Sequence, residues 1–385
     1  MKIDAEQESI LQGKSGHALA LALKTLVKYG EAFQARRLVP IKSGHFANTF
    51  GITFFKGNYN ILEQVISDGI KVKVPTSCNP HPGHDLNVIN RFILGKQDYL
   101  EDCINTLGII PNYSCVCYDS ANVPAFGDRI GWAESSAVQF ANSVLGARTN
   151  RNTVNIDLCS ALTGYTPEFG YLLDENRRGQ LMVKLKIDRM DASALGYILG
   201  QKAIDKVPVV EHYPFTRDDL KNMGGAMAAT GGVALFHVEG LTPEAPDLKT
   251  VFDGKPESTI TITQKDLDNL RTMKPERATS VVFGCPQMTY GEAMELSGHF
   301  KGKKVRLPTW FCMIPEAKAR FEKTSQADGV KAAGVKIYDH CPLTALSVRI
   351  GNKHVLTSSG KCFYYLKGAD YGTTEDCLKA CGVVR

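Results

Sequence analysis

Between residues 279 and 340 the chain switches repeatedly between two periods: TSVVFG, MTYGEAMELSGHFKG, KVRLP, MIPEAKARFEK, GVKIYDH. The short apolar segments read as strands, and the segments between them space their apolar residues as helices do. This strand–helix alternation is α/β patterning, an open sheet covered by helical connections. Thr289, Tyr290, Gly291 and Glu292 carry a capping-box signature at the start of the first helix, and Pro315 stands in the first turn of the second. In open α/β units ligands gather beyond the carboxyl ends of the strands, where loops and helix N-termini point. Cys285 directly follows VVFG and Cys341 directly follows KIYDH, which predicts that both emerge on one rim of one sheet.

The same alternation runs through the earlier chain. GHALALALKTLVKYGEAFQA (16–35) predicts a helix and RLVPI (37–41) a strand; ILEQVISDG, KVKVPTS, YLEDCINTLGI and YSCVCY repeat the pattern to residue 118. AESSAVQFANSVLG predicts a helix closed by Gly146. GQLMVKLKI (179–187) predicts a strand, and ALGYILGQKAI with the run NMGGAMAATGGVALFHVEG a helix and then a glycine-rich turn entering a strand at 233–238. Residues 242–278 mix prolines, glycine and charges and read as a connection, with a boundary near 245–275. A chain of 385 residues exceeds what one core sustains. The reading is an N-terminal α/β domain over 1–120, a central α/β domain over 121–250 and a βαβαβ domain over 275–385. No internal repeat or low-complexity tract interrupts it.

Composition narrows the function classes. The net charge of +5 is spread out, and the basic cluster KGKKVR (301–306) reads as a solvated face, which argues against nucleic acid as a partner. No apolar run approaches the ~20 residues that span a bilayer, so no membrane partner is expected. MKIDAEQESILQGK places acids where a signal peptide needs basic and apolar residues, so a cytoplasmic location with reduced cysteines is expected. The 11 cysteines are then buried small apolar residues or metal ligands, not a disulfide framework. Cys115 also ends an apolar strand-like run, in NYSCVCY. Three thiolates on one centre would leave a coordination position vacant: an iron–sulfur cluster, or zinc with three cysteines and water, or simply three buried cysteines.

AESSAVQFANSVLGARTNR (133–151) concentrates an acid, hydroxyls, amides and arginines among small residues. Arg148, Thr149 and Asn150, just past the glycine, could clamp a carboxylate, arginine being suited to a bidentate grip. Glu134 and Ser135 read equally as helix caps and as site residues. Ser43 and His45 after RLVPI, and Asn79 after KVKVP, stand at strand ends, where structural hydrogen bonding and a site role compete. His237 and Glu239 close VALFHVEG as second-tier candidates. Lys361 in SSGK offers an ammonium to an anion, with a solvated loop lysine as the alternative.

FANSVLGARTNR (140–151), IDLCSALTG (156–164), LLDENRR (172–178), VFGCP (282–286), DHCP (339–342) and SSGK (358–361) together resemble the large, catalytic subunit of the aconitase X family. RLVPIKSGH (37–45), SCNP (77–80) and FGDRIGWAESSAV (126–138) resemble family segments too, so the likeness covers nearly the whole chain. It implies an aconitase-like three-domain core around an iron–sulfur cluster, with nuclearity left open, and a small swivelling domain on a separate partner chain. It implies Cys115, Cys285 and Cys341 as ligands. Cys117 is set aside because a strand would turn it away from Cys115. It also brings Asn142 toward the pocket, together with Ser43, His45 and Asn79. Family members use a serine of the small domain in proton transfer, so the base is expected on the partner rather than in this chain.

The implied reaction is loss of water from a small anionic hydroxy acid, the metal acting as Lewis acid for hydroxide, a poor leaving group. NIDLCSALTG resembles members acting on cis-3-hydroxy-L-proline, the substrate this reading favours narrowly. VPIKSGH, with Lys42, resembles members acting on mevalonate 5-phosphate, while SGHFANTFG departs from both patterns. A non-catalytic cluster-bearing scaffold subunit is the alternative of another class.

Overall fold

The computed structural model describes residues 1–47, 56–81, 97–272, 274–347 and 354–384. These form two compact units: the described residues of Met1–Asn79, Asn87–Arg178 and Thr242–Glu244, and those of Pro80–Leu86, Gly179–Leu241 and Ala245–Arg385. The expected division at residue 120 falls inside the first unit. Residues 48–51 of SGHFANTFG lie outside the described residues.

In the first unit β1 (Leu38–Pro40) and β2 (Gly44–Phe46) are followed by β3 (Thr76–Cys78), β4 (Gly131–Trp132) and β5 (Tyr165–Pro167). β2 is the centre of a parallel three-stranded sheet between β3 and β4, and β1 pairs antiparallel with β5. The helices His17–Ala32 and Val154–Thr163 supply Leu23, Leu26, Ile156, Leu158 and Leu162 to a core that also takes Leu38, Phe46, Leu100 and Ile104. Burial on this scale, not intrinsic propensity, holds strands only two or three residues long.

The second unit contains two parallel sheets. β6 (Leu181–Lys186), β7 (Pro208–Val210), β8 (His237–Val238) and β9 (Ser258–Thr263) run in the order β8-β7-β6-β9. β10 (Ser280–Met288), β11 (Thr309–Met313), β12 (Lys336–Tyr338), β13 (Val355–Thr357) and β14 (Ala369–Tyr371) run in the order β12-β11-β10-β13-β14. The chain winds outward from β10 in one direction and then returns to build β13 and β14 on its other side. That reversal places a crevice at the carboxyl ends of β10 and β13, the position at which doubly wound sheets hold ligands.

The α/β patterning of 279–340 is present, with Thr289 and Glu292 closing a reciprocal cap on the helix Tyr290–Ser297 and Pro315 opening the helix Pro315–Phe321. One strand differs. KVRLP is an exposed, charged approach ending in a proline, and the strand is the next segment, TWFCM, wholly buried between β10 and β12. A central parallel strand is covered on both faces and reads as one continuous apolar run. The expected connection 242–278 contains β9, whose six residues pair with β6 from Leu181↔Ser258 to Lys186↔Thr263. Its STITIT alternation was the signal for a half-covered strand. KVKVPTS yields only its end, Thr76–Cys78, and the strand expected at 233–238 is His237–Val238. YSCVCY is not a strand: Cys115 stands in a turn, and Cys117 opens a 3-10 segment, Cys117–Asp119. Among the described residues no helix is long and apolar enough to cross a membrane.

Candidate functional site

In the second unit the site is built on an interruption of β10. Val281, Val282 and Phe283 pair with Thr309, Trp310 and Phe311, and pairing resumes only at Met288 opposite Met313. Residues 284–287 thus bulge out opposite Cys312. Gly284 makes the bulge possible: its φ is +100°, and a Cβ there would lie 2.0 Å from the Cys312 carbonyl oxygen. The Ser359 hydroxyl donates to the Cys285 carbonyl, and Gln287 Nε2 donates to the Asp339 carbonyl at 2.9 Å. Cys341 follows β12 and donates its amide to the His81 carbonyl at 3.0 Å. Ser359 caps the helix Gly360–Tyr365, accepting from the Cys362 amide at 2.9 Å, and the Gly360 amide donates to Ser193 Oγ at 2.7 Å.

This places Cys285, Cys341 and Lys361 in one neighbourhood. Burial pushes the Cys341 thiol up, the adjacent Cys285 adds to that, and Thr344 and the Lys361 ammonium act in the opposite direction. Lys361 is buried, not a solvated loop lysine. Two thiols on one rim beside a buried cation fit a thiolate-bound metal group, which takes soft ligands and carries negative charge. Among the described residues no three His, Cys, Asp or Glu side chains are gathered so as to hold a metal ion. No two of the eleven cysteines are joined in a disulfide. A cavity of about 590 Å³ opens beside Cys285, and Asp191, Ser193, Asp218, Ser358 and Ser359 are among its lining residues.

In the first unit β2 places His45 between Ser77 of β3 and Trp132 of β4, inside the sheet, not in the loop expected after RLVPI. Its Nε2 lies 2.8 Å from Asn79 Oδ1, which can only accept, so Nε2 carries the proton. Its Nδ1 then accepts from the Ser77 hydroxyl at 2.8 Å, and Ser77 accepts from Asn122 Nδ2 at 3.0 Å. Beyond His45, Asn79 Nδ2 donates to Glu134 Oε2 at 2.8 Å. Glu134 is also the N-cap of the helix Ser135–Phe140: its Oε1 accepts from the Ser136 amide, the Ser136 hydroxyl at 3.1 Å and the Ser135 hydroxyl at 3.3 Å. Burial lowers the His45 pKa against the opposing pull of Asn79 and Glu134, so the ring is neutral. Trp132 Nε1 donates to Ser43 Oγ at 3.3 Å. His45, Asn79, Glu134 and Ser135 therefore form one hydrogen-bonded group, and Ser43 is tied to Trp132, whose ring lies against His45.

Asn142 and residues 148–150 are engaged differently. The helix Ser135–Phe140 continues as a π-helical turn, Ala141–Leu145, which Gly146 ends with φ 68°. Asn142 accepts from the Thr149 amide at 3.0 Å and donates to the Thr149 carbonyl at 2.9 Å. Asn150 Nδ2 donates to the Phe169 carbonyl at 2.9 Å, and its Oδ1 accepts from the Tyr171 amide at 2.8 Å. Arg148 donates to the Leu172 carbonyl at 3.2 Å and pairs with Asp174. Residues 148–150 thus hold their own turn against 169–174. Arg177, absent from the sequence reading, is the buried cation here and pairs with Glu244.

Cys115 is half-buried, whereas Cys117 is 1% exposed and hydrogen-bonds Ser77, with burial pushing its thiol well above the usual range. The strand alternation used to set Cys117 aside does not apply in a turn; its burial against Ser77 separates the two cysteines instead. His237 is buried in β8, and the Glu239 carboxylate accepts from the His212 amide at 3.3 Å.

Asp157, on the helix Val154–Thr163, also escaped the sequence reading. It is fully buried, and burial pushes its carboxyl well above the carboxylate range. The fold therefore favours the neutral acid: that contribution is complete below the unfolded value near ~4 and is lost as pH rises through the folded value. Asp157→Asn removes the titration, so the variant should gain stability relative to the native chain between pH 4 and pH 7. Urea midpoints at the two pH values measure this, and parallel pH dependences would contradict it.

Family models match in succession along the chain: aconitase X first domain over residues 1–175, second domain over 179–272 and third domain over 278–382. The chain is 32% identical to the phosphomevalonate dehydratase large subunit of Methanocaldococcus jannaschii, covering 98% of this chain and 100% of that one. It is 28% identical to the cis-3-hydroxy-L-proline dehydratase of Pseudomonas aeruginosa, covering 95% of this chain and 67% of that protein. The crystal structure of Thermococcus kodakaraensis aconitase X in its holo form superposes with a TM-score of 0.89 at 33% identity, covering 98% of this chain and 99% of that one.

Proposed function

Because the chain belongs to the aconitase X family, and so to a group of hydro-lyases, we propose that it is the large subunit of a two-chain dehydratase acting on a phosphorylated hydroxy acid, (R)-5-phosphomevalonate. The observation that carries the dehydratase reading is the rim of the second unit, where Cys285, Cys341 and Lys361 meet at the switch point of a doubly wound sheet. The relatives that match this chain end to end, and that are named large subunits of phosphomevalonate dehydratase, support the substrate and the small-subunit partner. Exposed Lys42 supports a phosphate-bearing substrate as well.

In this proposal Cys115, Cys285 and Cys341 hold an iron–sulfur cluster. Such a group, when bound, supplies a Lewis acid for the departing hydroxide. The chain's own residues bind and orient. Lys361 places a buried positive charge next to the thiols. His45, fixed as the Nε2–H tautomer, holds Asn79 with its Nδ2 toward Glu134. Asn79, Ser135 and Ser136 donate to the Glu134 carboxylate at the head of its helix and fix its orientation. The proton-removing group comes from the small subunit. A second reading, cis-3-hydroxy-L-proline as substrate, is favoured by IDLCSALTG, which builds the helix Val154–Thr163.

The test is kcat/KM of the anaerobically reconstituted two-chain complex on both compounds, read by mass as loss of one water. Phosphomevalonate should be preferred by at least a factor of ~10². Preference for the proline reverses the substrate assignment. A cluster-loaded complex that dehydrates neither makes this chain a scaffold.

A further inference from the structure

Asp157 is an anomaly that the proposed mechanism does not use. Both of its carboxylate oxygens are buried without a hydrogen-bond partner among the described residues, and so is the hydroxyl of Ser160, one turn further along the same helix. A buried polar group left unsatisfied is costly, and an apolar side chain of the same size would pack there more favourably. Rule-breaking positions of this kind concentrate where function constrains the fold. The helix packs directly on both strands: a Cβ on Gly44 of β2 would lie 3.0 Å from Ala161 Cβ, and one on Gly131 of β4 would lie 3.0 Å from Ser160 Cβ. The backbone amides that bear on the carboxyl are those of His45, Ala47 and Ala133, none at full hydrogen-bond geometry. Two belong to the carboxyl end of β2 and the third follows β4. From the first strand end hangs the His45 ring, and the residue after Ala133 is Glu134, the two termini of the chain His45–Asn79–Glu134. The helix Val154–Thr163 thus carries a polar group to the backbone junction from which both ends of that chain are suspended.

We propose that Asp157 is a positioning residue, bridging the ends of β2 and β4 from below and so setting the spacing over which His45, Asn79 and Glu134 stay hydrogen-bonded. The inference rests on the reading of that polar group as part of the dehydratase site. A carboxyl serves where leucine does not, because it turns polar oxygens toward the backbone at the two strand ends. Asparagine keeps one such oxygen at the same reach. Leucine keeps the volume and removes the polarity.

The experiment compares Asp157→Asn and Asp157→Leu in the reconstituted complex, each checked by circular dichroism and thermal midpoint. Asp157→Leu should fold with a midpoint no lower than the native complex and lose about 10- to 100-fold in kcat with KM changed less than about threefold. Asp157→Asn should restore kcat to within about threefold of native. Amide hydrogen exchange on the full chain gives a readout independent of turnover. In Asp157→Leu the Ala47 and Ala133 amides should exchange at least tenfold faster, while those within Val154–Thr163 keep their protection. Native kcat in Asp157→Leu, or loss in both variants together, overturns the proposal, as does unchanged exchange at Ala47 and Ala133. If the native complex proves inactive on every hydroxy acid while the exchange contrast holds, the functional reading fails and the bridging role stands.

Discussion

Cys285→Ser should abolish dehydration by the two-chain complex, down to the background of the small subunit alone, together with the visible absorption of the reconstituted protein. The substitution exchanges sulfur for the smaller oxygen and adds no bulk to the bulge, and the Ser359 contact is to the Cys285 carbonyl, which remains. What changes is the proposed ligand: an alcohol does not ionise as a thiol does and is a hard donor where an iron–sulfur cluster requires soft thiolate. With the group lost, the Lewis acid it would supply for hydroxide departure would be lost with it. Cys362→Ala is the control, since Cys362 is buried in the same core cluster but stands off the rim. It should keep both colour and turnover. A colourless but active Cys285→Ser complex would contradict the account, as would a coloured one.

Arg177→Ala should destabilise the first unit by about 3–5 kcal/mol, a large share of the 5–15 kcal/mol typical of a domain. The guanidinium is almost wholly enclosed, and all its donors are engaged. Nε donates to both Glu244 oxygens at 2.9 and 3.0 Å, Nη1 to the Tyr171 carbonyl at 3.0 Å and to Asn142 Oδ1 at 3.3 Å, and Nη2 to the Asn142 carbonyl at 2.9 Å and to Glu244. Truncation leaves the Glu244 carboxylate, itself largely covered, without its counter-charge, and it removes the post against which Asn142 holds the Thr149 turn. Lysine should rescue little, because one ammonium cannot reproduce a fork that serves three acceptor groups. Urea unfolding of the variants gives the value; a loss below about 1 kcal/mol would show that the pair is not a structural tie.

Legibility in the sequence followed the range of the interactions. The cap of Thr289 with Glu292, the proline opening Pro315–Phe321 and the αL glycine at 146 depend on neighbours within four residues, and the chain states them directly. The strand read at KVRLP in place of TWFCM, and the missed β9, arose where tertiary burial decides between adjacent segments. The polar group around His45 illustrates the limit more sharply. Nothing local connects His45 with Ser77, Asn79, Asn122 and Glu134; their meeting is set by the parallel register His45↔Ser77 and His45↔Trp132. Likewise Arg177 and Glu244 stand 67 residues apart, so nothing local shows that they pair. Asp157 was hidden inside IDLCSALTG, where an acid in the first turn of a helix is unremarkable.

The ligand set proposed above has Cys115 serving the same iron–sulfur group as Cys285 and Cys341. The most direct measurement is the iron and acid-labile sulfide content of Cys115→Ser after anaerobic reconstitution with the small subunit, beside the native complex and Cys285→Ser. The account predicts that Cys115→Ser loses metal, sulfide and visible absorption to the same extent as Cys285→Ser. A Cys115→Ser complex that retains the native content of all three would contradict it.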